Sequence, residues 1–473
     1  MRRYPRFLSF VVVLFFAACV SPSIFAQTPD DGATALVQSG GPGFLRVTPQ
    51  SFDLSQTPIS IDSNTVLTFP AAAASSQEIF LTDSTAANSS SITAGASTPA
   101  RSNSAHEGDD DGHRANRPTI DGLDSLATFS SAFINQAGPS LGRFFSFTMI
   151  GNDPRLGGTT VIPTKITTVS LRLLNADGSL NVNVPFTFSD LVEDSPNFSE
   201  ANYRSGRHIQ FADAIQRAEF FNIMGEDWHT VLRPRFVNNV TFTIPRFVNV
   251  LFPDGSVKAV QAYRVGTASD GNHFVLLLDL LFNALFSNQV VSDINANNFT
   301  TNAVNNVLLP NTFLFSINNQ GQPAGCCVLG FHTFFRVGNA VPQPRWVTQF
   351  ASWISPGIFG GGVQDITALS HETSEAFNDP FVNNTTALWQ FPGVPANSKQ
   401  CQGNLETGDP VEVLNPSSVA ITLRERNEVF TYHPQTEALL QWFEMGAKSN
   451  AIDGAFSFPN EAALPHSALP CPQ

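Results

Sequence analysis

One stretch of the chain carries residues whose types and spacing suit metal-assisted hydrolysis. His371 and Glu375 are four positions apart in segment 365–380, so on a helix they lie one turn apart on the same face. Glu372 follows His371 directly and is rotated toward the same cleft. Metal-dependent hydrolysis needs ligands held at a fixed separation and a carboxylate that takes a proton from an activated water. The stretch therefore predicts His371 and Glu375 as metal ligands and Glu372 as a general base.

The same residues also allow a plainer interpretation. His371 and Glu372 could form an ordinary polar face near a helix end, where Asp379-Pro380 is a stop signal. His332 stands among aromatic residues, a setting typical of a core histidine. Both alternatives stay open from the residues alone.

The composition is that of an acidic, weakly charged chain. Of 473 residues, 42% are hydrophobic and 14% are charged, and the formal net charge is −14. Phenylalanine occurs 42 times and tyrosine 4 times, which favours β structure packed by aromatic rings. So acidic a chain is a poor partner for nucleic acid or an anionic membrane.

The N-terminus is predicted to be an export signal. Residues 1–26 begin with three arginines, continue with a short apolar run at 7–18 and end at Ala26, after which cleavage is expected. Cys19 ends a lipobox-like sequence and is an alternative site for a lipid anchor. No later run is long enough for a transmembrane helix. The expected location is outside the cell or in the cell envelope.

Four cysteines follow the predicted signal: Cys326, Cys327, Cys401 and Cys471. An even number in an exported chain indicates disulfide bonds, and three pairings exist. We favour a link from Cys326 or Cys327 to Cys401, which would join the segments before and after the motif. A four-cysteine zinc site is the alternative, although adjacent cysteines are poorly spaced for chelation.

The chain divides by composition. Residues 27–118 are predicted to be a low-complexity, disordered linker or a pro-segment, since their second half has almost no apolar content. Residues 119–300 have the pattern of a β-rich, mixed α/β region. Residues 301–473 carry the motif and are expected to continue the same domain.

Local patterns predict individual elements. Apolar spacing and turn signals predict strands at 141–150 and 162–174, a helix at 211–227, a hairpin around Asp254-Gly255, and a helix or strand at 274–286. Asp213 and Glu219 on the predicted helix are expected to be solvated or ion-paired. Strands with scattered helices indicate an α+β domain.

The surroundings of the motif resemble a known family. The sequence Ser370-His371-Glu372-x-x-Glu375-Ala376-x-x-Asp379-Pro380 is followed by Trp389 and by Glu406-x-Gly408-Asp409. This pattern resembles exported bacterial and fungal HExxE-type metallopeptidase-like proteins, distantly similar to plant phosphate-induced, exordium-type proteins. The resemblance covers about residues 325–411.

The resemblance implies further roles for residues around the motif. Glu406 would be the third metal ligand, and Asp409 is its close competitor. His332 would steady a developing oxyanion or serve as a further ligand. Three protein ligands leave a coordination position open, which is the catalytic arrangement. Zinc is the first expectation for the metal, and calcium is the alternative.

The sequence thus predicts a secreted, zinc-dependent, peptidase-like hydrolase acting on an extracellular peptide or protein. Its fold is expected to be an α+β, zincin-like metallopeptidase domain with a β-rich N-terminal part. The competing hypothesis is a non-catalytic exported or cell-surface protein whose zinc or calcium site is structural.

Overall fold

A computed structural model describes most of the chain beyond residue 124. The described residues are 33–34, 50–52, 61–62, 64–69, 125–203, 207–337, 344–360, 362–392, 401–425, 428–445 and 454–464. The predicted signal peptide, Cys19, Cys471 and nearly all of the predicted linker lie outside these ranges.

Strands predominate in the described residues. They are β1 (Gln50–Phe52), β2 (Val66–Thr68), β3 (Thr128–Ile134), β4 (Phe144–Ile150), β5 (Thr159–Leu174), β6 (Leu180–Val184), β7 (Ala201–Asn202), β8 (His208–Ile209), β9 (His229–Ile244), β10 (Phe247–Leu251), β11 (Val257–Gln261), β12 (Tyr263–Thr267), β13 (His273–Leu278), β14 (Val304–Pro310), β15 (Thr312–Ile317), β16 (Pro323–Val328), β17 (Gly330–Val337), β18 (Arg345–Trp353), β19 (Thr385–Trp389), β20 (Gln402–Asn404), β21 (Ile421–Glu425), β22 (Glu428–Tyr432), β23 (Glu437–Ala438) and β24 (Ser457–Phe458).

Helices are fewer and mostly short. They are α1 (Ser189–Glu193), α2 (Phe211–Glu219), α3 (Asp279–Asn295), α4 (Thr367–Asn378), α5 (Asp409–Glu412) and α6 (Leu440–Phe443). None of the helices in the described ranges has the length and apolarity needed to cross a membrane. Helix α4 carries the motif.

The largest sheet supports the motif helix. Its strand order is β1-β17-β18-β14-β5-β6, and β9 also pairs with β5. Strand β14 runs parallel to β5 and β18, whereas β17 runs antiparallel to β18. Strands from both predicted regions, 119–300 and 301–473, therefore pair in one sheet.

Strand β14 lies inside this sheet, and all seven of its residues are buried. Burial along the whole strand is expected where parallel neighbours flank it and both faces are covered. Its polar side chains have partners, since Gln349 Nε2 donates to Asn306 Oδ1. The same Nε2 atom donates to Thr373 Oγ1 at 3.1 Å. This amide therefore ties the sheet to helix α4.

Several predicted elements are confirmed. Strands β4 and β5 occupy the predicted strand segments, and β10 pairs with β11 in an antiparallel hairpin. Gly255 in the hairpin turn has φ +80°, a conformation that favours glycine.

Two predicted segments differ from the structure. The helix predicted at 211–227 ends at Glu219, and Phe221 and Ile223 beyond it are about half exposed. Although Phe221 and Ile223 continue the apolar spacing of the helix, they do not form part of a buried helix face. The apolar run 274–286 is both strand and helix, because β13 ends at Leu278 and α3 begins at Asp279. A continuous apolar run has no period that could separate the two.

Candidate metal centre

Helix α4 is buried along its whole length. All twelve residues of Thr367–Asn378 are buried, and it packs against β17 and β18. Leu369 and Phe377 belong to the main hydrophobic core, together with Phe331 and Phe350 of those strands. The polar residues of the helix therefore need partners inside the protein.

The start of the helix is fixed by a buried aspartate. Asp365 has φ +43°, and its Oδ1 accepts hydrogen bonds from Ile366 N at 2.6 Å and His433 N at 2.8 Å. Its Oδ2 pairs with His433 Nδ1 at 2.7 Å. These contacts hold the first turn of the helix against the segment around residue 433.

The helix places the motif residues together, as predicted. His371 Nε2 lies 3.2 Å from Glu375 Oε1, one turn further along. Glu372 lies close by, since one ligand atom from each of His371, Glu372 and Glu375 falls within 4.8 Å of the others. Their exposed fractions are between 0% and 3%.

Strand β17 brings His332 to the same place. His332 Nδ1 lies 3.3 Å from Glu375 Oε2 and 3.6 Å from Glu372 Oε2. Its Nε2 lies 3.7 Å from Glu406 Oε2. His332, Glu375 and Glu406 form a second group whose ligand atoms all lie within 4.8 Å. His332 is thus part of the centre as well as a core residue.

The loop before α5 supplies Glu406, and the first residue of α5 is Asp409. Asp409 Oδ1 lies 3.8 Å from His371 Nε2. Gln435 anchors this loop, because its Nε2 donates to Gly408 O at 2.7 Å while its N donates to Ser370 Oγ at 2.8 Å. Gly408 N in turn donates to Glu375 Oε1 at 3.2 Å. These hydrogen bonds therefore fix the position of the loop relative to the helix.

Two glycines make room for the motif side chains. A Cβ atom at Gly330 would lie 2.6 Å from Glu372 Oε1, and one at Gly408 would overlap the ring of His371. Gly408 has φ −79°, which any residue can adopt. Contact with His371, rather than backbone conformation, therefore requires glycine at position 408.

The distances between histidine nitrogens and carboxylate oxygens are longer at this centre than in three other histidine–carboxylate pairs of the described residues. Elsewhere in the described chain, His433 pairs with Asp365 at 2.7 Å, His229 with Asp213 at 2.7 Å and His208 with Glu200 at 2.9 Å. The five separations around His332 and His371 are 3.2–3.8 Å. Ligands bound tetrahedrally at about 2.1 Å from zinc are about 3.4 Å apart. The spacing would accommodate a cation between these groups.

His332 and Glu372 lack the hydrogen bonds expected of buried polar groups. Within the described residues, neither ring nitrogen of His332 and neither oxygen of Glu372 has a neighbour in hydrogen-bonding geometry. Their exposed fractions are 1% and 0%. Burying polar groups without hydrogen bonds is unfavourable in free energy, and a bound ion is one partner that can compensate for the lost hydrogen bonds.

The electrostatics favour positive charge at both histidines. Burial acts to lower the pKa of His332, but Glu406, Glu372 and Glu375 outweigh it and raise the pKa well above its ordinary value. Burial is outweighed in the same way at His371, where Glu375 is the main group that raises the pKa to about 9. A proton or a metal cation can supply that charge.

The two motif carboxylates differ. Burial raises the pKa of Glu372 to about 7 against the opposing effect of His332 and His371. At Glu375, burial acts in the same direction, but His371 and His332 outweigh it and lower the pKa to about 2. Glu375 therefore stays ionised, whereas Glu372 can exchange a proton near neutral pH.

Two carboxylates near the centre were not predicted, Glu412 and Glu437, and Glu219 interacts electrostatically with Glu437. Burial, followed by the charges of Glu375, Glu372 and Glu219, raises the pKa of Glu437 well above its ordinary value. Glu219 was expected to be solvated or ion-paired, and at 3% exposed it is not solvated. Its position one turn after Ile215, on the apolar face of α2, was the available signal. No local pattern marks Glu437.

The remaining predicted residues have structural contacts. Asp379 Oδ1 accepts from Asn383 N and Asn384 N, which makes it a turn residue. The sulfur atoms of Cys326 and Cys327 contact each other, so the favoured link from either one to Cys401 is not found. A link to Cys401 would depend on long-range packing, which the local sequence pattern does not predict.

No protein-family model, curated protein or solved structure matches the chain. The resemblance over residues 325–411 remains an expectation from the sequence.

Proposed function

We propose that this chain is a metal-dependent hydrolase of the peptidase type, whose metal centre is the buried cluster of His332, His371, Glu375 and Glu406. The observation that carries the proposal is the spacing of the buried histidines and carboxylates, which is 3.2–3.8 Å in the five contacts around His332 and His371 given above. A divalent ion bound there supplies Lewis acidity to the reacting carbonyl and water.

Glu372 is the general base in this proposal. It lies beside both histidines, where its carboxylate is placed to take a proton from a bound water and return it. Glu406 and Asp409, from the segment 406–409, face His332 and His371 respectively. His332, predicted to contact an oxyanion or the metal, takes the ligand role because carboxylates surround its ring.

Zinc fits the donor set better than calcium. Two imidazoles with carboxylates suit zinc, whereas calcium sites are built from oxygen ligands. The substrate class, an extracellular peptide or protein, stays a prediction from the sequence. So does export of the chain, either by the signal at residues 1–26 or with a lipid anchor at Cys19.

The proposal is tested by metal analysis and peptide hydrolysis on the purified chain. We expect stoichiometric zinc and cleavage of fluorescence-quenched peptides, lost on chelation and restored by zinc. A preparation exposed to zinc and other transition metals that retains none of them rules the proposal out.

A structural metal site is the second candidate, and burial favours it. His371 and Glu372 are 0% exposed and Glu406 is 2% exposed, whereas hydrolysis needs access for a substrate. If the ion is structural, its removal lowers the melting temperature and no peptide is cleaved under any metal condition. Cleavage by the zinc-loaded chain decides for the enzyme.

A further inference from the structure

The carboxylate of Glu375 faces two histidines with two different oxygens. Its Oε2 lies 3.3 Å from His332 Nδ1, and its Oε1 lies 3.2 Å from His371 Nε2. A carboxylate that presents one oxygen to each of two ligand sets is suited to bridge two cations. In two-metal hydrolytic sites the ions lie about 3.5–4 Å apart.

Each histidine has its own further carboxylate. Glu406 belongs with His332, in a group whose ligand atoms lie within 4.8 Å of one another. Asp409 Oδ1 lies 3.8 Å from His371 Nε2, the same nitrogen that faces Glu375. Glu375 belongs to both groups of close ligand atoms: His332 and Glu406 complete the first, and His371 and Glu372 complete the second, beside which Asp409 lies.

Buried carboxylates also outnumber the histidines at the centre. Six buried carboxylates, each no more than 8% exposed, lie around the two histidines: Glu372, Glu375, Glu406, Asp409, Glu412 and Glu437. Buried charges in proteins are paired, neutralised or bound to metal. A second divalent ion doubles the compensation.

We propose that the centre binds two divalent ions bridged by Glu375, one also held by His332 and Glu406 and the other by His371 and Asp409. The proposal rests on the proposed function and extends it to a two-metal hydrolytic centre. Glu372 stays beside both ions as the base. His332 and Glu372, buried without hydrogen bonds among the described residues, are the independent observation that the acidic cluster is a site.

The test is zinc stoichiometry on the full-length chain, by elemental analysis after equilibration with zinc and removal of loosely bound ion. We expect two zinc ions per wild-type chain and one in each of His332→Ala and His371→Ala. His208→Ala is the matched control, because this histidine is exposed and pairs with Glu200, and it should keep two. Circular dichroism checks that each variant is folded.

One zinc per wild-type chain, lost in both histidine variants, overturns the two-metal proposal and leaves the proposed function intact. No bound zinc overturns both. The wild-type chain loaded with Mn²⁺ gives a measurement that needs no variant. Electron paramagnetic resonance should show an exchange-coupled pair, whereas two isolated ions would place the second one elsewhere and overturn the bridge.

Discussion

Glu372 is the residue on which the proposed hydrolysis depends most directly. Glu372→Gln keeps the shape of the side chain but removes the group that accepts a proton. We expect kcat to fall by about 10²–10⁴-fold with zinc content unchanged. Glu444→Gln is the control, since this carboxylate accepts from Gln136 Nε2 at 2.9 Å and is not one of the motif residues. Equal turnover by wild type and Glu372→Gln would remove Glu372 from the mechanism.

Gly408 offers a steric test of the position of His371. Gly408→Ala places a methyl group against the imidazole, so the ring or the loop must shift. We expect zinc affinity to fall and stability to drop by about 1–3 kcal/mol. Gly360→Ala is the matched control, because a Cβ atom there meets nothing within 4 Å. Identical zinc binding by Gly408→Ala and wild type would contradict this geometry.

The motif helix is held in place by its first turn as well as by the sheet. Asp365→Ala removes the contacts to Ile366 N, His433 N and His433 Nδ1, and we expect a loss of about 2–4 kcal/mol in the free energy of unfolding. A double-mutant cycle with His433→Ala, followed by urea unfolding, measures the pair. Strictly additive losses would show that Asp365 and His433 act independently.

The helix shows what local pattern could establish. The four-residue spacing of His371 and Glu375 predicted a helix with both side chains on one face, and α4 has that geometry. The hairpin around Gly255 was predicted for the same reason, since turn residues and alternation act over a few positions. In both cases the signal and the structure involve the same neighbouring residues.

The rest of the centre depends on contacts between distant segments. His332 reaches the helix because β17 pairs with β18, and Glu437 because the segment after residue 433 folds against the loop at Thr407. Hydrophobic periodicity reports on local secondary structure, so it does not indicate which single residues of distant segments will contact each other. The predicted cysteine link failed for the same reason.

Folding of the whole chain should depend on pH through Asp279, at the start of α3. Burial raises its pKa from 3.8 to about 7, against a hydrogen bond from Leu280 N. The folded state therefore holds a proton that the unfolded chain releases, so this contribution is complete below about pH 4 and is lost as the pH rises through 7. Because Asp279 is only partly buried, the stability that the protein loses through this group between low and high pH is reduced to roughly 2–4 kcal/mol.

The comparison is Asp279→Asn with wild type in urea unfolding at pH 5 and pH 8. The variant carries no charge at either pH, so its advantage over wild type should grow between the two. The same difference at both values would show that Asp279 is not the group responsible.

Burial of α4 on every side also governs how fast anything reaches the centre. An ion among ligands no more than 4% exposed can leave only when the surrounding packing opens. Loss of zinc to a chelator should then be independent of chelator concentration and should accelerate with urea in parallel with unfolding. A rate proportional to chelator concentration would show direct access. The same opening sets an upper limit on turnover, because a peptide must wait for it as well.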